Sequence, residues 1–164
     1  MAPAGVPMPP ARPGVVTAAF WLTLGGAALF LVTVALLLGV AWEDMRETAR
    51  ETLVEDGERY TEEDLDSTAR MVMFVYVLLA VLATAPFVTF ASLLRGGRNW
   101  ARVVLTVFVS IGGFVSLIMV FPPYGDHVNV PVVRVLELVL AGLAATIIVL
   151  LFSRDANRYF AGPR

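Results

Sequence analysis

Two ionisable residues, Arg134 and Glu137, stand three apart inside the otherwise uncharged run PVVRVLELVL. If the run is helical, this spacing puts both on one face within side-chain reach. Arg134 lies near the start of the run, and its long side chain can extend to the water boundary. Glu137 lies deeper, about 7 Å from the run's midpoint at 1.5 Å per residue. A charge at that depth in a membrane costs at least ~2–3 kcal/mol, so an ionisable residue there is a functional candidate by default. Three roles fit: an ion pair pinning the helix, a proton or cation site, or a polar contact to a partner helix. Pairing with Arg134 is the expected state, because it keeps Glu137 ionised and offsets much of that cost.

A second group of chemistry-bearing residues is acidic. From Glu43 to Arg70 the chain holds eleven acids and four arginines. Glu51, Glu55, Asp56, Glu58, Glu62 and Glu63 form a candidate docking surface for a basic partner or for cations. A calcium loop is not indicated, because DGERYTEEDLD lacks the alternating D-x-[DN]-x-[DN]-G ligand spacing. A third group is basic: Arg95, Arg98, Trp100 and Arg102 in LLRGGRNWAR suit anchoring at a membrane boundary, where Arg and Trp are enriched. Anionic lipid headgroups are a possible ligand there.

Other chemistries find no support. The chain has no cysteine, so thiol nucleophiles, disulfides and zinc–thiolate sites are excluded. The only histidine, His127, lies beside Asp126 in PPYGDHVN and cannot build a metal site alone. LLRGGRNW lacks the Lys-Ser/Thr of a phosphate-binding loop. No nucleophile–base pair is visible, so no catalytic residue, cofactor or metal is assigned and a non-enzymatic role is expected. The basic residues are few and lie beside apolar runs, which argues against nucleic acid.

The elements that must hold these groups follow from hydropathy. The 164 residues are 58% hydrophobic, with a mean hydropathy of +0.77. Four stretches are nearly uncharged: Val15–Trp42, Met71–Leu94, Val103–Phe121 and Val132–Phe152. Each has the roughly 20 residues needed to cross about 30 Å of hydrocarbon as a helix. Backbone groups in lipid must bond internally, which leaves helices or a closed barrel. The runs do not alternate apolar and polar residues, so a barrel is excluded. The expected fold is all-α: an integral membrane four-helix bundle, up-down-up-down, with an acidic helical hairpin extending beyond the membrane between helices 1 and 2. The first run is too long for a cleaved signal peptide. Helices are expected at about 15–54, 62–94, 99–121 and 131–153, between a Pro-rich tail at 1–14 and a tail at 155–164.

Finer signals sit at the helix ends. Met45, Ala49 and Leu53 recur every four residues, and Leu65, Ala69 and Val72 offer a matching stripe. Gly57 suits a helix stop. Thr61 and Asp64 have capping-box spacing, and Tyr60 and Leu65 have that of a hydrophobic staple. Asp66 and Arg70 make an i,i+4 pair. Pro86 is expected to kink the second long helix, with Thr84 or Thr89 taking up freed backbone groups. Gly112/Ser116, Ala35/Gly39, Ala141/Ala145 and Gly142/Thr146 are small pairs that allow close helix packing, within the bundle or in an oligomer.

Arginine sets the orientation. Arg12, Arg95, Arg98, Arg102, Arg154, Arg158 and Arg164 fall on one side, and Arg46, Arg50, Arg59 and Arg70 on the other. The excess places both termini in the cytoplasm and the acidic hairpin outside. LLRGGRNWARVVLTVF, the closing LLFSRDANRYF and the hairpin segment GERYTEEDLD together resemble a loose group of small four-span membrane proteins of GC-rich bacteria. That resemblance implies a multi-pass protein of the bacterial inner membrane and brings no shared activity or site residues. The leading expectation is action by association, with a membrane-protein partner or a second copy. The alternative is a small transporter or channel component using Arg134 and Glu137.

Overall fold

A computed structural model describes residues 13–55, 60–121 and 131–161. The elements are α1 (Gly14–Val40), α2 (Trp42–Glu55), α3 (Glu62–Arg95), α4 (Asn99–Val120), α5 (Pro131–Leu151) and α6 (Arg154–Ala161). Four of them, α1, α3, α4 and α5, are long and apolar enough to cross a membrane. They pack in a ring: α1 on α3, α3 on α4, α4 on α5, and α5 back on α1. Chain neighbours are thus spatial neighbours, which gives the up-down-up-down bundle.

The outward faces of these helices are apolar. Trp21, Phe74, Phe114 and Val149 are 62%, 64%, 64% and 70% exposed. Within the most apolar stretch of each long helix, only 6% (α3) to 22% (α5) of positions are buried. Water would drive such surface inward, whereas lipid tails solvate it without penalty. The chain is a multi-span integral membrane protein.

Burial is concentrated at two ends. At one end Val16, Ala19 and Phe20 of α1 meet Ala91 and Leu94 of α3, Leu105 and Val109 of α4, and Ile147 and Leu151 of α5. Phe87, Phe90, Phe108 and Trp100 line the α3–α4 contact there, with Phe90 stacked on Phe108 at 5.7 Å between centroids. The other end is the hairpin, where Ala49, Leu65 and Ala69 are buried under Trp42, Met45, Leu53 and Tyr60. The two stripes read from the sequence therefore face each other, except that Val72 lies outside this cluster.

Three local features differ from the sequence expectation. The stretch read as one helix from 15 to 54 is divided at Ala41 (φ −84°, ψ 21°). Helical bonding resumes at once, since the Met45 N–H donates to the Ala41 carbonyl at 2.9 Å. Second, most of the segment read as a tail at 155–164 forms α6, whose Ala156 is fully buried in the bundle core. Third, Gly113, which the small-residue pairs do not include, makes the α4–α5 approach, while Gly112 faces Phe87 of α3. A Cβ on Gly113 would stand 2.6 Å from the Ala144 Cβ, so only glycine lets α4 and α5 come this close.

α3 ends in a glycine turn. Gly97 takes φ 72°, a left-handed conformation that a side chain would strain, and its N–H donates to the Leu94 carbonyl at 2.9 Å. That reversal lets α4 start at Asn99. Pro86 lies within a continuous α3, and buried Thr84 donates its hydroxyl to the Val81 carbonyl at 2.7 Å. Thr89 is exposed and donates no hydrogen bond among the described residues.

Candidate functional site

The hairpin is fixed by local rules first. Thr61 caps α3: its Oγ1 accepts from the Asp64 N–H at 3.3 Å, and its own N–H donates to Asp64 Oδ2 at 2.9 Å. The Thr61 hydroxyl also donates to Asp64 Oδ2 at 2.7 Å. These bonds stabilise the carboxylate, so the Asp64 carboxyl is held below its ordinary value. Asp64 sits in the hairpin, ahead of the apolar run that begins at Met71. Tyr60 packs on the Leu65 cluster, as a staple requires.

Tertiary structure adds a clamp. Arg46 of α2 donates from Nη2 to Glu62 Oε2 at 2.7 Å, across to the first turn of α3. Its Nε lies 3.0 Å from Asp66 Oδ1 and its Nη1 lies 3.8 Å from Glu43. The Nε–Oδ1 approach is off the hydrogen-bond direction, so it is a charge contact only. Asp66 thus faces Arg46 rather than the expected Arg70, since a cation across the hairpin is nearer than one a turn along α3. Arg50 pairs with Glu47 at 2.6 Å.

Of the candidate acids, Glu51, Glu55, Glu62 and Glu63 are exposed on this hairpin, while Asp56 and Glu58 lie outside the described residues. Gly57 and His127 lie outside them as well. Glu62 is engaged by Arg46. Glu51, Glu55 and Glu63 make no ion pair among the described residues, so their charge faces solvent. Beside them a shallow groove of about 420 Å³ runs between α2 and α3, lined by Thr52, Thr68, Met71, Val75 and Tyr76.

In the bundle, Glu137 is only 7% exposed and Arg134 is half-buried. The expected ion pair is not formed, because no Arg134–Glu137 contact lies within 4.0 Å among the described ion pairs. Glu137 shares the buried face of α5 with Val133, Ala144, Ile147 and Leu151. Three residues are about 60° short of a full turn, so Arg134 falls beside that face rather than on it. The other three long helices bury hydroxyls as well: Thr23 and Thr33 on α1, Thr84 on α3 and Ser116 on α4.

The opposite end gathers arginines. Arg95 is half-buried with its guanidinium 4.5 Å from the Phe20 ring centroid. Arg98 is exposed at the N-cap of α4, and Trp100 is 51% exposed with its ring edge-on to Phe90. Arg102 is 7% exposed. Its Nη2 donates to Asn157 Oδ1 at 2.6 Å, and its guanidinium lies 4.4 Å from the Phe152 ring and 5.4 Å from Phe160. The Asn157 amide in turn donates to the Phe152 carbonyl at 3.2 Å. Arg102 thereby ties α6 to α4. Two contact residues escape sequence reasoning here, Arg46 as a clamp and Asn157 as the partner of Arg102. The i,i+3 and i,i+4 patterns carry no signal for either, since both contacts are long-range.

No group of three or more His, Cys, Asp or Glu positioned to hold a metal occurs among the described residues. No protein-family model, curated protein or solved structure matches this chain.

Proposed function

We propose that this protein acts by association, presenting the acidic hairpin to a basic partner at the membrane surface. One observation carries the reading. The hairpin has its own apolar core and a cross-helix arginine clamp, yet leaves Glu51, Glu55 and Glu63 free of ion pairs among the described residues. A pre-ordered charged face loses little entropy on binding and steers an oppositely charged partner. In this reading the protein belongs to the bacterial cytoplasmic membrane, with both termini inside and the hairpin outside, as the arginine asymmetry and the four-span resemblance suggest. It is a non-enzymatic accessory or scaffold. Two copies would repel through this face, so the partner is a different chain.

The test is crosslinking in native membranes followed by affinity purification. Reversing Glu51, Glu55 and Glu63 to lysine should abolish the co-purifying species while expression and membrane insertion persist. An unchanged crosslinking pattern would remove the reading. Glu62 stays untouched in this experiment, since reversing it would break the hairpin clamp.

A second reading is favoured by the bundle interior. Glu137 is buried on α5 without an ion-pair partner among the described residues, and Thr23, Thr33, Thr84 and Ser116 bury hydroxyls on the other three long helices. A buried intramembrane carboxylate without a counter-ion suits proton or cation passage. Flux through proteoliposomes that is the same for wild type and Glu137→Gln would eliminate it.

A further inference from the structure

Every described arginine at the α6 end lacks a carboxylate partner. Arg95, Arg98, Arg102, Arg154 and Arg158 make no ion pair, and the one acid on α6, Asp155, pairs with none of them. At the hairpin end, by contrast, Arg46 and Arg50 are paired, and of the described arginines there only Arg70 is not. The α6 end is therefore a concentrated cation with nothing in the described chain to neutralise it. Arg102 is its centre. It is more than nine-tenths buried, and its Nε reaches neither solvent nor a hydrogen-bond acceptor. The Phe152 and Phe160 rings and the Asn157 amide solvate this guanidinium, but all three are neutral. A desolvated charge of this kind favours an anion close by.

Two further cations stand on the elements that Arg102 joins. Arg98 precedes Arg102 by one turn of α4, and Arg158 follows Asn157 directly on α6. Both are exposed. Trp100 and Phe152, each 51% exposed at this end, are rings of the kind enriched at a membrane boundary. A ligand at such a boundary has its charge at the headgroup and its body in hydrocarbon.

We propose that Arg102, with Arg98 and Arg158 beside it, forms a seat for the phosphate of an anionic phospholipid. The guanidinium forks supply paired N–H donors that match phosphate oxygens, and Trp100 and Phe152 flank the acyl chains. The seat holds α6 against the bundle in the bilayer and makes its packing dependent on lipid charge. This inference rests on the membrane-spanning fold and not on the association reading.

The full-length protein in neutral detergent is titrated with phosphatidylglycerol or phosphatidylcholine, and retained lipid is read by native mass spectrometry. Wild type should retain phosphatidylglycerol on the order of a hundredfold better, given a gain of about 1 kcal/mol for each of the three engaged arginines. The doubly substituted Arg98→Gln/Arg158→Gln chain changes only exposed residues and should lose most of that preference. Arg102→Lys keeps the charge without the fork and should lose several-fold. Arg46→Gln, at the other end, should leave the preference intact. Equal retention of both lipids overturns the proposal, as does a preference that survives the double substitution. Loss of the preference in Arg46→Gln would mark a diffuse charge effect and overturn it too. Full displacement by an equal concentration of inorganic phosphate would mean a free-anion site, which overturns the lipid assignment.

Discussion

Arg46 and Arg102 do the same mechanical job in two different solvents. Each ties a short helix to a long one: α2 to α3 for Arg46, α6 to α4 for Arg102. Arg46 is met by three carboxylates at 2.7, 3.0 and 3.8 Å. Arg102 is met by an amide and two aromatic rings. In water, a carboxylate cancels the charge and both ions keep part of their hydration. At a lipid boundary, neutral dipoles and ring faces solvate the cation without cancelling it. The positive charge then stays uncancelled within the described chain. The Arg46 clamp is thus neutralised within the hairpin, while the described chain supplies Arg102 with no carboxylate.

That contrast can be broken at several strengths. The largest effect is expected from Leu65→Ala. Leu65 is fully buried in the hairpin core, which faces water, so the hydrophobic effect operates there in full. A loss of about 3 kcal/mol in local stability should show as faster amide exchange along α2. If exchange in α2 responded less to Leu65→Ala than to loss of Arg46, charge rather than apolar burial would be holding the hairpin. Arg102→Ala comes next. It removes a charge-assisted hydrogen bond and two ring contacts, worth about 2 kcal/mol together. Thermal unfolding in detergent should fall accordingly and change little with salt, because the site is buried. A strong salt dependence would place Arg102 with Arg46 and erase the distinction. Arg46→Gln should be the smallest, no more than about 1 kcal/mol, because Glu62 is largely exposed and its pairing is screened. Raising salt to 1 M should shrink the difference between Arg46→Gln and wild type in α2 exchange.

Local chemistry was the legible part of this chain. The Thr61–Asp64 capping box and the Tyr60–Leu65 staple are written within a few residues, and both are found in the structure. The facing stripes of α2 and α3 were legible for the same reason, since a four-residue recurrence defines a helix face wherever the helix goes. The ion pairs were not. Arg46 meets Glu62 at a separation of 16 residues, and Arg102 meets Asn157 at a separation of 55. The local pairs that spacing suggested, Asp66 with Arg70 and Arg134 with Glu137, are not among the ion pairs formed. Long flexible side chains choose among all partners in reach, and spacing along one helix knows only some of them.

By itself the sequence determined the four membrane helices and the acidic projection between the first two. Hydrocarbon admits no unsatisfied backbone, so run length and the absence of charge dictate those elements before any packing occurs. Tertiary structure decided the rest: that Gly113 rather than Gly112 meets Ala144, that Glu137 turns inward without Arg134, and that α6 folds back to cover Arg102. Lipid rewards no particular rotation of an apolar helix. The faces that meet are therefore chosen by the fit of small residues and by where each buried polar group finds an acceptable neighbour.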